Sequence, residues 1–208
     1  MAGSDTFSTF IDPSLVPLGV TNGICASQTT AGIANLLING SLTTGGVATL
    51  TPARDVEVTG ASDNSGISFV VTGTLADGTT VLTETIVGPG AGLTVKTTAL
   101  FATVTQIAVT GAVTGNITVG SGITVIATVF AGRTRVRGIY FVNGGTAGTL
   151  DFQNGGTGSS PSLMKFATSG GANTADYPDI PDEGILASDG AYLVYTTTSS
   201  TGITVFFN

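Results

Sequence analysis

The sequence predicts an all-β protein, a β-sandwich or jelly-roll-like fold, and three observations carry that prediction. The first is composition. Of 208 residues, 31 are Gly and 37 are Thr, hydrophobic residues make up 41%, and charged residues only 9%, against about 25% in an ordinary soluble domain. Thr and Val fit a pleated, half-buried surface, and Gly supplies turns. The second is spacing: short apolar and β-branched runs are separated by turn signals at fairly regular intervals, the mark of a sandwich or barrel. The third is the lack of a helical period, residues 27–36 being a weak exception.

The first 30 residues read as an extended N-terminal arm, because Asp12-Pro13-Ser14-Leu15-Val16-Pro17-Leu18-Gly19 carries two prolines and no clear period. Such a segment either lies across a neighbouring subunit or ends the chain loosely. Residues 31–120 read as a first β-domain, with strands at Asn35–Asn39, Val47–Leu50, Asp55–Thr59, Gly66–Thr72, Thr80–Val87, Leu93–Leu100, Val104–Thr110 and Asn116–Val119. Asp63-Asn64-Ser65-Gly66 has the pattern of a type I turn. Ala76-Asp77-Gly78 is a hairpin signal joining Ser68–Leu75 to Thr80–Val87. Alternation then sets Val81, Thr83, Thr85 and Val87 on one face and Leu82, Glu84 and Ile86 on the other, before Gly88-Pro89-Gly90 breaks the strand.

Gly120-Ser121-Gly122 suggests a boundary, so residues 121–208 form a second β-region with strands at Ile123–Phe130, Arg135–Asn143, Gly148–Phe152, Ser162–Phe166, Ala191–Thr197 and Ile203–Phe207. Its loops are long and glycine-rich, and Ser169–Ser188 reads as mostly irregular. Loops of this kind lie on the surface and make contacts. The two regions form either two packed sandwiches or one larger jelly-roll-like body.

Charge and residue type narrow the chemistry. The net charge is −7 and Lys plus Arg number six, too few for a nucleic-acid footprint or a polybasic membrane patch. No run of about 18 apolar residues is present to span a membrane, and the N-terminus has no signal-peptide pattern. The one cysteine, Cys25, reads as a small buried hydrophobe and fits synthesis in a reducing cytoplasm. Histidine is absent, which removes the usual general base near neutral pH and the commonest neutral metal ligand. The sequence therefore predicts no catalytic, cofactor or metal site. Carboxylate chemistry of the glycoside-hydrolase kind stays open as an alternative.

Two charged groups stand out as candidate subunit contacts. Arg133, Arg135 and Arg137 alternate, so on a strand they share a face and can dock onto carboxylates; the alternative is a solvated or edge-guarding face. Asp176, Asp179, Asp182 and Glu183 sit in a proline-stiffened segment. They read as partners for the arginines, as solvated loop charges, or as a calcium site whose spacing does not match an EF-hand loop. Asn143-Gly144-Gly145 and Asn154-Gly155-Gly156-Thr157-Gly158 lack the ending of a phosphate loop and read as hairpin loops. The C-terminal Ile203-Thr204-Val205-Phe206-Phe207-Asn208 reads as a strand tied into a sheet.

Asp55-Val56-Glu57-Val58-Thr59, then Asp63-Asn64-Ser65-Gly66-Ile67-Ser68-Phe69-Val70-Val71-Thr72-Gly73-Thr74, then Asp77-Gly78 and Glu84-Thr85-Ile86-Val87-Gly88-Pro89 form a pattern. With Phe101-Ala102-Thr103-Val104-Thr105 and Gly115-Asn116-Ile117-Thr118-Val119-Gly120, it resembles a β-domain that recurs in tailed-bacteriophage virion proteins. The resemblance covers roughly residues 30–120 and is built of turns and alternation, so it carries over no site. It implies a capsid decoration or cement protein on the outside of the virion, a homotrimer partnered by the major capsid protein. A tail, neck or head-fibre component is the alternative.

Overall fold

The computed structural model describes residues 5–158 and 160–208, and the described residues are all-β apart from one 3-10 turn, Pro13–Leu15. The strands are β1 (Phe7–Ile11), β2 (Val20–Gln28), β3 (Ala34–Asn35), β4 (Thr43–Thr44), β5 (Val47–Gly60), β6 (Ser68–Leu75), β7 (Val81–Val87), β8 (Thr94–Lys96) and β9 (Phe101–Val109). They continue as β10 (Ile117–Phe130), β11 (Thr134–Asn143), β12 (Gly148–Asn154), β13 (Ser162–Thr168), β14 (Ala175–Asp176), β15 (Ile185–Ala187), β16 (Ala191–Thr196) and β17 (Ser200–Phe207).

The chain divides into two compact units, one of Leu18–Ile123 and one of the N-terminal residues up to Pro17 with Thr124–Asn208. The division falls inside β10 and not at a linker. The reason is close backbone approach. A Cβ on Gly120 would lie 2.0 Å from the Val20 carbonyl oxygen, and one on Gly122 would lie 2.3 Å from an Asp55 carboxylate oxygen. Between them, Ser121 Oγ accepts the Val20 N–H at 3.3 Å. These glycines admit neighbours into a continuous strand, the other common use of strand glycine besides a break. Likewise β5 joins two segments predicted as separate strands. It runs through Pro52, and its pairing with β9 slips between Thr49 and Arg54 to accommodate the change.

In the unit of Leu18–Ile123, β5, β9, β6 and β7 are successive antiparallel neighbours. Their inward residues, including Val56, Val58, Phe69, Val71, Phe101, Val104 and Ile107, make one apolar core with Ile24 and Cys25. The hairpin predicted at Asp77-Gly78 is present, with Ser68 opposite Val87 through Thr74 opposite Val81. The turn is not the primed type expected for Asp-Gly: the Gly78 N–H donates to the Leu75 carbonyl at 2.9 Å, Ala76 and Asp77 at its centre keep negative φ, and Gly78 follows them at φ +72°, the left-handed residue that closes a longer hairpin loop. The Asp77 carboxylate accepts the N–H groups of Thr79 at 2.9 Å and Thr80 at 2.8 Å, and the Thr80 hydroxyl.

In the second unit, two antiparallel sheets enclose a separate core. One sheet runs β13, β12, β16 and the second half of β10; the other runs β1, β17, β11, with β14 and β15 each pairing β11. The segment predicted as an arm is therefore corrected. Phe7–Ile11 is a full partner of β17, and Val20–Gln28 pairs β10 in the other unit. The prolines are confined to the turn between, where the Asp12 carboxylate accepts the Ser14 N–H at 2.9 Å. Alternation explains the pairing: Ile11 and Ile203 are opposite one another and both buried. The first four residues of the predicted arm lie outside the described residues.

Ile11→Ala is expected to lower stability by about 2–4 kcal/mol, the usual loss for a truncated core aliphatic. Removing residues 1–11 is expected to lower the unfolding temperature by more. Thermal denaturation checks both, and a truncated chain as stable as the whole would show that the segment is an arm after all.

Candidate functional site

Three cross-strand rows line the inner face of the sheet formed by β1, β17 and β11, with Phe7, at its edge, left 58% exposed. The rows are Ile11–Ile203–Phe141, Thr9–Val205–Ile139 and Phe7–Phe207–Val136. Because side chains alternate, the residues between them are forced onto the opposite, open face. There the rows read Phe10–Thr204–Tyr140 and Ser8–Phe206–Gly138. Phe10 is 64% exposed, Tyr140 40% and Tyr177, from the loop beyond β14, 66%.

Two strand glycines shape this face. A Cβ on Gly202 would lie 3.4 Å from the Phe10 ring, and one on Gly138 would lie 3.0 Å from the Tyr177 hydroxyl and 3.4 Å from the Phe206 ring. The rings thus lie over bare backbone, which keeps the aromatic surface low and broad. Aromatic residues are enriched at the centres of protein interfaces relative to the rest of a protein surface.

The predicted charged residues border this face. Arg135 and Arg137 lie on β11, with Arg135 opposite Leu186 of β15. Their guanidinium groups do not meet carboxylates of the acidic segment; they donate to its backbone. Arg135 reaches the carbonyl oxygens of Glu183 at 3.1 Å and Gly184 at 3.4 Å, and Arg137 reaches that of Asp182. The expected pairing of side chain with side chain is thus replaced within the chain by side chain with backbone. The carboxylates of Asp179, Asp182 and Glu183, all exposed, make no hydrogen bond or ion pair among the described residues. Arg133, exposed and just before β11, likewise makes none among them. Asp176 stands apart on β14, where it accepts from Asn143 Nδ2 at 2.5 Å. No group of three or more His, Cys, Asp or Glu side chains comes together in a metal-holding arrangement among the described residues.

Asn143 is the residue that sequence reading missed. It is fully buried. Its amide nitrogen donates to the Thr174 carbonyl at 3.1 Å, the Thr174 hydroxyl at 3.0 Å and Asp176, and its amide oxygen accepts the Ser169 N–H at 2.9 Å. The backbone adds Asn143 N–H to Thr174 O at 2.7 Å and Asn173 N–H to Asn143 O at 3.0 Å, with Asn173 at φ +66°. One side chain thereby fixes the loop that leads into β14, where Asp176, opposite Phe141, takes the inner parity and Tyr177 turns to the open face. In the sequence it is disguised as the first residue of a glycine loop.

A second charged cluster lies in the unit of Leu18–Ile123. The Asp55 carboxylate, 2% exposed, sits 3.4 Å from Lys96 Nζ, and Glu57 is opposite Lys96 across β5 and β8. Burial raises the Glu57 carboxyl above its ordinary range, and Asp55 adds to this against the opposing pull of Lys96. The arrangement serves to satisfy Asp55 in a packed strand.

A scan against protein-family models and a search of curated proteins each find no match to this chain.

Asn143→Leu leaves the Ser169 N–H without its acceptor and the Asp176 carboxylate without the amide donor, while the Thr174 carbonyl keeps the backbone N–H of residue 143, and a loss of about 2–3 kcal/mol is expected. Limited proteolysis is expected to cut first between residues 169 and 176; an unchanged cleavage pattern contradicts this role. For Glu57 the folded state favours the proton, so its contribution is complete below the ordinary glutamate pKa and is lost as pH rises above it. Glu57→Gln is accordingly expected to raise stability at neutral pH and to flatten the stability profile just above the ordinary range. Denaturant titration across pH reads this directly.

Proposed function

We propose that this chain is a non-catalytic structural protein of a tailed-bacteriophage particle: a decoration or cement protein that binds the outside of the assembled shell and bridges major capsid protein subunits. The observation that carries this reading is the open aromatic face of β1, β17 and β11, with an arginine and carboxylates nearby that have no partner among the described residues. The resemblance of residues 30–120 to phage virion domains supplies the context. A surface rich in aromatics at its centre and charged at its rim suits a large protein partner. Binding only the assembled shell stabilises that shell by mass action, with no chemical step. In a homotrimer, Arg133 of one copy would have Asp179, Asp182 or Glu183 of the next as a carboxylate partner.

Phe10→Ser combined with Tyr140→Ser is expected to weaken binding to purified shells by tenfold or more, since interface aromatics each carry about 1–2 kcal/mol or more, without lowering the unfolding temperature. Co-sedimentation with shells measures it. Unchanged binding removes this face from the contact, and binding to host cells in place of shells favours the tail or head-fibre alternative.

A further inference from the structure

The edge strand β7 offers a second contact, in the other unit and independent of the aromatic face. Among the described residues β7 pairs only with β6, so one side of its backbone is open. It is seven residues long with no proline, no lysine and no bulge in its register, and so lacks most of the usual guards against further pairing. Its one charge, Glu84, is already engaged: the carboxylate accepts the N–H groups of Thr98 at 2.8 Å and Ala99 at 2.9 Å. Its outward face, Val81, Thr83, Thr85 and Val87, is exposed and uncharged, and continues onto Ser68, Val70, Thr72 and Thr74 of β6. Thr72 and Thr83 join their hydroxyls at 3.0 Å across the pair.

The sequence of this edge decides its occupant. Val81-Leu82-Thr83-Glu84-Thr85-Ile86-Val87 reads almost the same in both directions about Glu84. A two-fold contact requires one surface to complement itself, and antiparallel pairing of two such strands meets that requirement residue by residue. We propose that β7 pairs antiparallel with β7 of a second copy, centred on Glu84. Val81 then faces Val87, Leu82 faces Ile86 and Thr83 faces Thr85 of the other copy. The inward Leu82 and Ile86 extend each core toward the partner, the outward Val and Thr residues form one uncharged face across six strands or more, and backbone hydrogen bonds supply the pairing. The two Glu84 carboxylates stay tied to their own Thr98 and Ala99 N–H groups.

The test uses the full-length protein without shells, so that it is separate from shell binding. Thr83→Cys and Thr85→Cys proteins are prepared singly and mixed under mild oxidation; Cys25 is buried and stays in place. The mixture is expected to give a covalent dimer in several-fold greater yield than either protein alone, and Thr105→Cys, on an exposed position of β9, is expected to give none. In parallel, Thr83→Lys with Thr85→Lys is expected to halve the mass of the assembly in sedimentation while leaving the melting curve unchanged. A mixture that links no better than either variant alone, or an assembly mass unchanged by the lysines, overturns the proposal.

Discussion

The register of β1, β17 and β11 is the constraint from which the candidate surface follows. Three inner rows bury Ile11, Ile203, Phe141, Val205, Ile139, Phe207 and Val136 in one core, and a shift by one residue would turn all of them to water. That loss fixes the register. Once it is fixed, Phe10, Tyr140 and Phe206 have no route inward. The exposure of Phe10 and Tyr140, and the half-burial of Phe206, are a consequence of the strand period acting on a sequence that carries apolar residues at both parities.

Glycine works in two distinct ways around this frame. In loops it supplies positive φ, as at Gly78. In strands it removes a side chain so that something else can approach: the Val20 backbone at Gly120, the Asp55 carboxylate at Gly122, aromatic rings at Gly138 and Gly202. This second use accounts for much of what separates the sequence reading from the structure. Gly120-Ser121-Gly122 has the composition of a linker, but the features that distinguish it from one are contacts with Val20 and Asp55, far back along the chain, which local composition does not contain.

The parts that were legible were local. The Asp77-Gly78 hairpin and the split of Val81–Val87 into two faces could be read because turn chemistry and period-2 alternation act within a few residues. The all-β class followed from the same signals repeated. The arm was misread because Pro13 and Pro17 mask the short alternation at Phe7–Ile11, whose partner is at the far end of the chain. At the charged border, pairing of the arginines with the acidic segment was one of three readings the sequence left open, and nothing local in it shows that the Arg135 and Arg137 guanidinium groups turn to backbone carbonyls. Asn143 was invisible for a similar reason: the three residues its side chain binds, Ser169, Thr174 and Asp176, lie 26 to 33 residues downstream.

A Thr/Gly-rich β-framework with only 9% charged residues, an open aromatic face and exposed charges without partners among the described residues are the features on which the proposed shell-binding role rests. Low overall charge lets such a body pack on a large surface without desolvating many ions. The most direct measurement is the copy number of this chain in purified virus particles, by quantitative mass spectrometry against the major capsid protein. A copy number comparable with that of the capsid protein is the result predicted for a shell-binding decoration protein. A number far below it contradicts a place on the shell, and absence from the particles contradicts the structural role itself.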